Sequence, residues 1–200
     1  MSDTTNTEVW LLPASRIVVE IIDDIQDKEA HDSREYRGPL AKARRLFGKL
    51  PESDPSATAE VLRLLSSRGF ALREATGSDD GLTLTERAAI TAIALYAGSP
   101  RNAHQSGVSL GAALAKMAVD NEAHKGTAFK SMTDPFIREL LSSDDYAYVV
   151  HSLSRILGRL EAHSLDYGLL TNDLIDFQYE DRIEKVKIRW SKDYYSYFNA

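Results

Sequence analysis

The residues best suited to covalent chemistry are Gly107-Val108-Ser109-Leu110-Gly111, which fit the G-x-S-x-G pattern of a hydrolase nucleophile elbow. Such an elbow needs a β-strand running into the serine, so that the hydroxyl is held on a strained strand-to-helix turn. The preceding Pro100-Arg101-Asn102-Ala103-His104-Gln105 has no strand pattern. Ser109 is therefore predicted to be a helix N-cap, with a serine hydrolase kept as the alternative. His31-Asp32 matches the dipeptide of helical metal-dependent phosphohydrolases. That chemistry requires further His and Asp ligands converging from other helices, and His104, His124, His151 and His163 have no ligand spacing with it. The dipeptide reads as a solvated helix end, and neither a metal nor another cofactor is expected.

The basic residues offer a different chemistry. Residues 34–50 carry six bases, Arg34, Arg37, Lys42, Arg44, Arg45 and Lys49, against the single acid Glu35, a balance of +5. The preceding 33 residues hold eight acids against Arg16 and Lys28 (−6), and the remaining 150 hold 16 bases and 21 acids (−5). A net charge of −6 thus hides a positive segment in a chain whose average field repels phosphate. On a helical wheel with Leu40 at zero, Lys42, Arg45 and Lys49 fall at about 200°, 140° and 180°. They oppose a stripe of Leu40, Ala43, Phe47 and Leu50, with Arg44 beside the stripe and Arg34 and Arg37 in an adjoining loop. Arg155 and Arg159 stand one turn apart with His151, while Arg182, Lys185, Arg189 and Lys192 lie opposite Ile183, Val186, Trp190 and Tyr194. Exposed lysine and arginine suffice for contact with a phosphodiester backbone, and such contacts carry no base information. The alternative for each group is a solvated face without a ligand.

Helices must position these groups. Ile17, Ile21, Ile22 and Ile25 recur at helical intervals, so residues 14–30 read as a helix despite the β-branched run Ile17-Val18-Val19. Gly38-Pro39 opens a second helix and Asp54-Pro55 a third, which reaches about residue 67. Residues 68–82 read as a loop. Thr83 and Glu86 have capping-box spacing ahead of the apolar run Ala88–Ala97, which belongs in a core and is stopped by Gly98 and Pro100. Ser109 caps a helix over Leu110–Ala118. Beyond about residue 120 come helices at 127–132, Pro135–Leu141, Asp145–Ala162, 167–178 and 181–198. The fold class is all-α, about nine helices in two small packed bundles, residues 1–120 and 121–200.

Composition sets the limits. Two hundred residues, 43% hydrophobic and 27% charged, are enough to bury a core. No cysteine is present, which rules out disulfides and cysteine-ligated metal. The opening MSDTTNTEVW has no basic region before an apolar stretch, and no apolar run has bilayer length, so a cytoplasmic protein with no membrane partner is expected.

Several stretches, in order over about residues 40–198, resemble the CasB family. Ala41-Lys42-Ala43-Arg44-Arg45 resembles its basic first helix, and Ile90–Gly98, ending in Leu95-Tyr96-Ala97, resembles its central helix, with His104-Gln105 in the loop beyond. Gly107–Leu114 (GVSLGAAL) is similar to the family's Ser-Leu-Gly helix start. Leu170–Phe177, followed by Arg182, Val186, Trp190 and Tyr194-Tyr195, resembles the closing helix pair. Where many relatives have an arginine pair before the counterpart of Phe129, this chain has Gly126-Thr127. The resemblance implies a non-enzymatic small subunit of the type I-E CRISPR complex Cascade, an antiviral assembly. It further implies two copies beside the backbone and large subunits, bracing guide RNA on target DNA and helping hold the strand displaced in the R-loop. The RNA- and DNA-binding residues expected on this basis are Arg34, Arg37, Lys42, Arg44, Arg45, Lys49, Arg101, His104, Lys125, Lys130, Arg155, Arg159 and Arg182. The competing function is a purely structural helical adaptor whose acidic N-terminus engages a basic partner.

Overall fold

The computed structural model describes residues 11–29, 34–72, 81–99, 104–125, 130–160 and 163–199. Among them are nine α-helices: α1 (Pro13–Glu29), α2 (Arg34–Ala43), α3 (Pro55–Ser67), α4 (Leu84–Gly98), α5 (Leu110–Lys125), α6 (Lys130–Leu141), α7 (Tyr146–Leu157), α8 (Tyr167–Asp176) and α9 (Ile183–Ser196). The single β-type pairing among these residues is a bridge between His104 and Leu165. The all-α expectation holds. No described helix is long and apolar enough to cross a membrane.

α4 is the centre. Its start is fixed by the capping box its sequence predicts: the Glu86 N–H donates to Thr83 Oγ1 (3.1 Å) and the Thr83 N–H donates to the Glu86 carboxylate (2.7 Å). Every residue from Ala88 to Ala97 is buried, and α1, α2, α3, α7 and α8 pack around it. In α1 the burial of Val18, Ile21, Ile22 and Ile25 outweighs a helix-propensity cost of under about 0.7 kcal/mol for each β-branched residue.

α9 lies along α5, at a separation that Gly111 sets. A Cβ at Gly111 would stand 2.3 Å from the Trp190 carbonyl oxygen, so the glycine of the Ser-Leu-Gly stretch is required by helix packing. α8 lies against α1 and α4, and one hydrophobic cluster draws residues from all nine helices. At the α8–α9 joint, Asp173 accepts from Arg189 Nε (2.9 Å) and Trp190 Nε1 (2.5 Å), and the indole stacks on Phe177. A second joint ties the loop before α5 to the start of α8. Asp166 caps α8 through the Gly168 and Leu169 N–H groups, and its other oxygen accepts from the Gly107 N–H (2.7 Å). The Asp166 N–H in turn donates to the Val108 carbonyl (2.8 Å).

Several boundaries differ from expectation. α2 begins at Arg34, carries Pro39 in its interior and stops at Ala43, where a 3₁₀ turn over Arg44–Leu46 takes over. The amide that Pro39 lacks removes one bond in a short helix whose buried face, Tyr36, Leu40 and Ala43, still holds it in place. Residues 130–141 form one helix with Pro135 inside; the segment 126–129 lies outside the described residues. α7 ends at Leu157, short of Ala162, with Gly158 as its C-cap. α5 runs past Ala118 to Lys125.

Candidate nucleic-acid interface

The residues following α2 build a basic turn that carries Arg44, Arg45 and Lys49. Arg44 Nε donates to the Ala97 carbonyl (2.8 Å), one of the last four carbonyls of α4, which have no partner within the helix. The Phe47 ring lies over Gly98, where a Cβ would come within 2.0 Å of it. Gly48 is left-handed (φ 72°) and sits against α7: a Cβ there would be 2.4 Å from Ser154 Oγ and 3.9 Å from His151 Nδ1. The turn that carries Arg45 and Lys49 therefore abuts the helix that carries His151 and Arg155, both exposed.

The charges at this seam are only partly committed. Arg45 pairs with Asp54 (2.6 Å) while its side chain stays 53% exposed. Lys49 is exposed and has no ion pair among the described residues. Lys42 is half-buried; the Glu60 carboxyl is held below its ordinary value by the Arg63 hydrogen bond first, with the Lys42 charge the least of the causes. On α7, Arg155 meets Glu139 (2.9 Å), which also accepts from Ser152 Oγ, and the Arg159 guanidinium lies 5.2 Å over the Phe136 ring.

The structure does not gather all the expected residues here. The wheel that aligned Lys42, Arg45 and Lys49 fails beyond Ala43, because the helix ends there; Gly48 and its neighbours re-aim the last two. Arg182 belongs to the α8–α9 turn, paired with Asp176 (2.9 Å) and stacked on Tyr179 at 4.5 Å. His104 is held inside the fold. Its side chain is 7% exposed, Nδ1 accepts from the Tyr167 N–H (3.3 Å), and Nε2 is 4.0 Å from Asp23. Arg37 is exposed on α2. The side chains of Arg34, Lys125 and Lys130, and Arg101 entirely, lie outside the described residues. Sequence reasoning missed the carboxylates that meet cations from other elements, Asp54, Glu139 and Asp176; among the described ion pairs, Glu60–Arg63 and Glu184–Lys187, both at i,i+3, had a local signal.

The other two motifs resolve differently. Ser109 Oγ accepts from the Ala112 N–H (3.2 Å), the predicted N-cap, and a left-handed turn at Gly107 (φ 81°) leads into it. His31-Asp32 falls outside the described residues, and among the described ones no three His, Asp or Glu side chains are grouped to hold a metal. A cavity of about 590 Å³ between α1, the end of α3 and α4 is lined by Leu12, Ile17, Phe70, Ile175 and other uncharged residues, a lining unsuited to phosphate.

Residues 39–195 match the family model of CRISPR-associated protein Cse2. No curated protein matches the chain. Among solved structures, CasB from Thermobifida fusca superposes with a TM-score of 0.69 at 23% identity, over 92% of this chain and 99% of that one. CasB from Thermus thermophilus gives 0.64 at 21%, over 92% and 98%. A second Thermus thermophilus structure, of a CRISPR-associated protein of the Cse2 family, gives 0.62 at 22%, over the same shares. At these identities the likeness is one of fold.

Proposed function

This chain belongs to the CRISPR-associated Cse2 family, and we propose that it is the non-catalytic small subunit of a type I-E Cascade complex in the cytoplasm. There it holds nucleic-acid backbone without reading sequence, bracing guide RNA on its target and the displaced DNA strand. Its neighbours are the backbone and large subunits and a second copy of itself. The observation that carries this role is the seam at Gly48–Ser154, which sets Arg45 and Lys49 beside the α7 face bearing His151 and Arg155. The carboxylates that meet Arg45 and Arg155 are surface partners worth about 0–1 kcal/mol each, so phosphates can replace them at little cost. A net charge of −6 makes the isolated chain a weak binder, and the other subunits and guide RNA supply most of the affinity.

The test is target-DNA retention by complexes rebuilt with wild-type subunit or with Lys42→Ala/Arg45→Ala/Lys49→Ala, over a range of salt. Each phosphate contact contributes roughly 0.7 to the log–log salt slope on a single strand and 0.9 on duplex. The triple variant is expected to weaken retention about equally on unrelated targets and to flatten the slope by one or more contacts. Unchanged affinity and slope, at equal incorporation and helix content, would leave the structural adaptor as the better account.

A further inference from the structure

We propose that the adjacent arginines Arg44 and Arg45 have separate roles: Arg44, with Phe47 and Gly48, is a positioning residue that locks the turn, and Arg45 and Lys49 are the ones that meet phosphate. This rests on the nucleic-acid role proposed above. Three anchors from two helices grip five consecutive residues. Arg44 Nε is spent on the Ala97 carbonyl at 2.8 Å, where the negative end of the α4 dipole also favours its charge. Three residues later the Phe47 ring fills the space a Cβ on Gly98 would need, and Gly48 fits against Ser154 Oγ in a backbone conformation that side-chain-bearing residues rarely adopt. No anchor involves the head groups of Arg45 or Lys49.

The arrangement has a physical rationale. A loose turn must lose conformational freedom when it binds an extended ligand, and that loss subtracts from affinity. Here folding has already fixed the turn, so the two cations meet a strand in one geometry. The neutral residues Phe47 and Gly48 should then control how many phosphates are neutralised, although neither carries charge. Arg44 should contribute through Ala97 and add no phosphate contact of its own.

The discriminating measurement is the salt dependence of target-DNA retention in rebuilt complexes carrying Phe47→Ala or Gly48→Ala, compared with Arg45→Ala/Lys49→Ala. Gly48→Ala drives a methyl toward Ser154; Phe47→Ala only removes a half-buried ring and serves as the milder variant if Gly48→Ala folds poorly. Each neutral substitution is expected to flatten the slope by roughly 0.7 to 1.8, the value of one single-strand contact to two duplex contacts. Adding Arg45→Ala/Lys49→Ala to the Phe47→Ala subunit should then flatten it by less than the same pair does in wild type. Arg44→Ala added to Phe47→Ala should leave the slope where it was. Slopes unchanged in both neutral variants, with the double-alanine variant flattened, would overturn the positioning role and leave the phosphate contacts standing. A double-alanine variant with an unchanged slope would instead remove the nucleic-acid role from this turn. A further flattening on adding Arg44→Ala would make Arg44 a phosphate ligand and defeat the division.

Discussion

Arg189 and Arg45 each meet an aspartate, but Asp173 and Asp54 stand in different surroundings. The Asp173 side chain is 6% exposed and bonds both Arg189 and the Trp190 indole N–H. The Asp54 side chain is 18% exposed and caps α3 through the Ala57 N–H (3.1 Å). If Arg189 left its partner, a carboxylate would remain buried with too little to neutralise it, which is costly. If Arg45 left, Asp54 would still cap a helix and still reach water. The C-terminal pair is therefore tied to the fold, whereas the N-terminal one can open at little cost. Counting arginines does not distinguish the two; the surroundings of their partners do.

The contrast breaks most visibly at Asp173. Asp173→Ala strands the buried Trp190 N–H and the half-exposed Arg189, and is expected to cost roughly 2–3 kcal/mol in urea unfolding. Burial pushes the Asp173 carboxyl up to about 6 from 3.8, against the pull of Arg189 and of the Trp190 hydrogen bond. A carboxyl raised on folding binds its proton more tightly in the folded state, so this site gains stability as pH falls through about 6 and loses it as pH rises. The gap between wild type and Asp173→Ala should widen by about 1 kcal/mol between pH 7 and pH 5; a gap that narrows would show that Arg189 keeps the group ionised.

A smaller effect is expected at Ser109. Ser109→Ala removes the α5 N-cap and should cost about 1 kcal/mol, with target retention unaltered once the protein is folded. Labelling of Ser109 by a serine-directed acylating probe would contradict the capping role.

The smallest change in stability belongs to Asp54→Asn, which keeps a capping oxygen and removes the charge. Stability should move by less than about 0.5 kcal/mol. Retention of DNA at low salt should tighten by about two- to fivefold, the equivalent of one surface pair released. No tightening would mean that Arg45 is not the cation a strand meets.

The fold was largely legible where its signals are local. Thr83 and Glu86 announce the start of α4, its unbroken apolar run announces burial, and Ser109, Asp54-Pro55 and the α7 stripe do the same for their elements. The end of α2 was not legible, because nothing within residues 40–50 stops a helix at Ala43. What re-aims the chain there is Ala97, Gly98 and Ser154, supplied by α4 and α7. The wheel for Arg45 and Lys49 failed for that reason. The basic cluster itself was plain from charge counting, but His104 looked like a loop cation and is a buried strut, since its partners Tyr167 and Asp23 are remote in sequence. Asp173 was overlooked on the same ground: its two donors lie a helix away.

The bond that fastens the start of α1 has a consequence for synthesis. Asn172 Oδ1 accepts from the Leu12 N–H (3.2 Å) and from Ser15 Oγ (2.6 Å), across 160 and 157 residues of chain. α1 leaves the ribosome well before α8, against which it packs. At about 5–20 residues per second, α1 waits roughly ten to thirty seconds for its partner, with Val19, which lies against Gly168, uncovered on that side. Contacts this distant in sequence also slow the closing step once the chain is free. Nascent chains cut short before α8 therefore expose an apolar, β-branched helix, the form of this protein most in need of a chaperone.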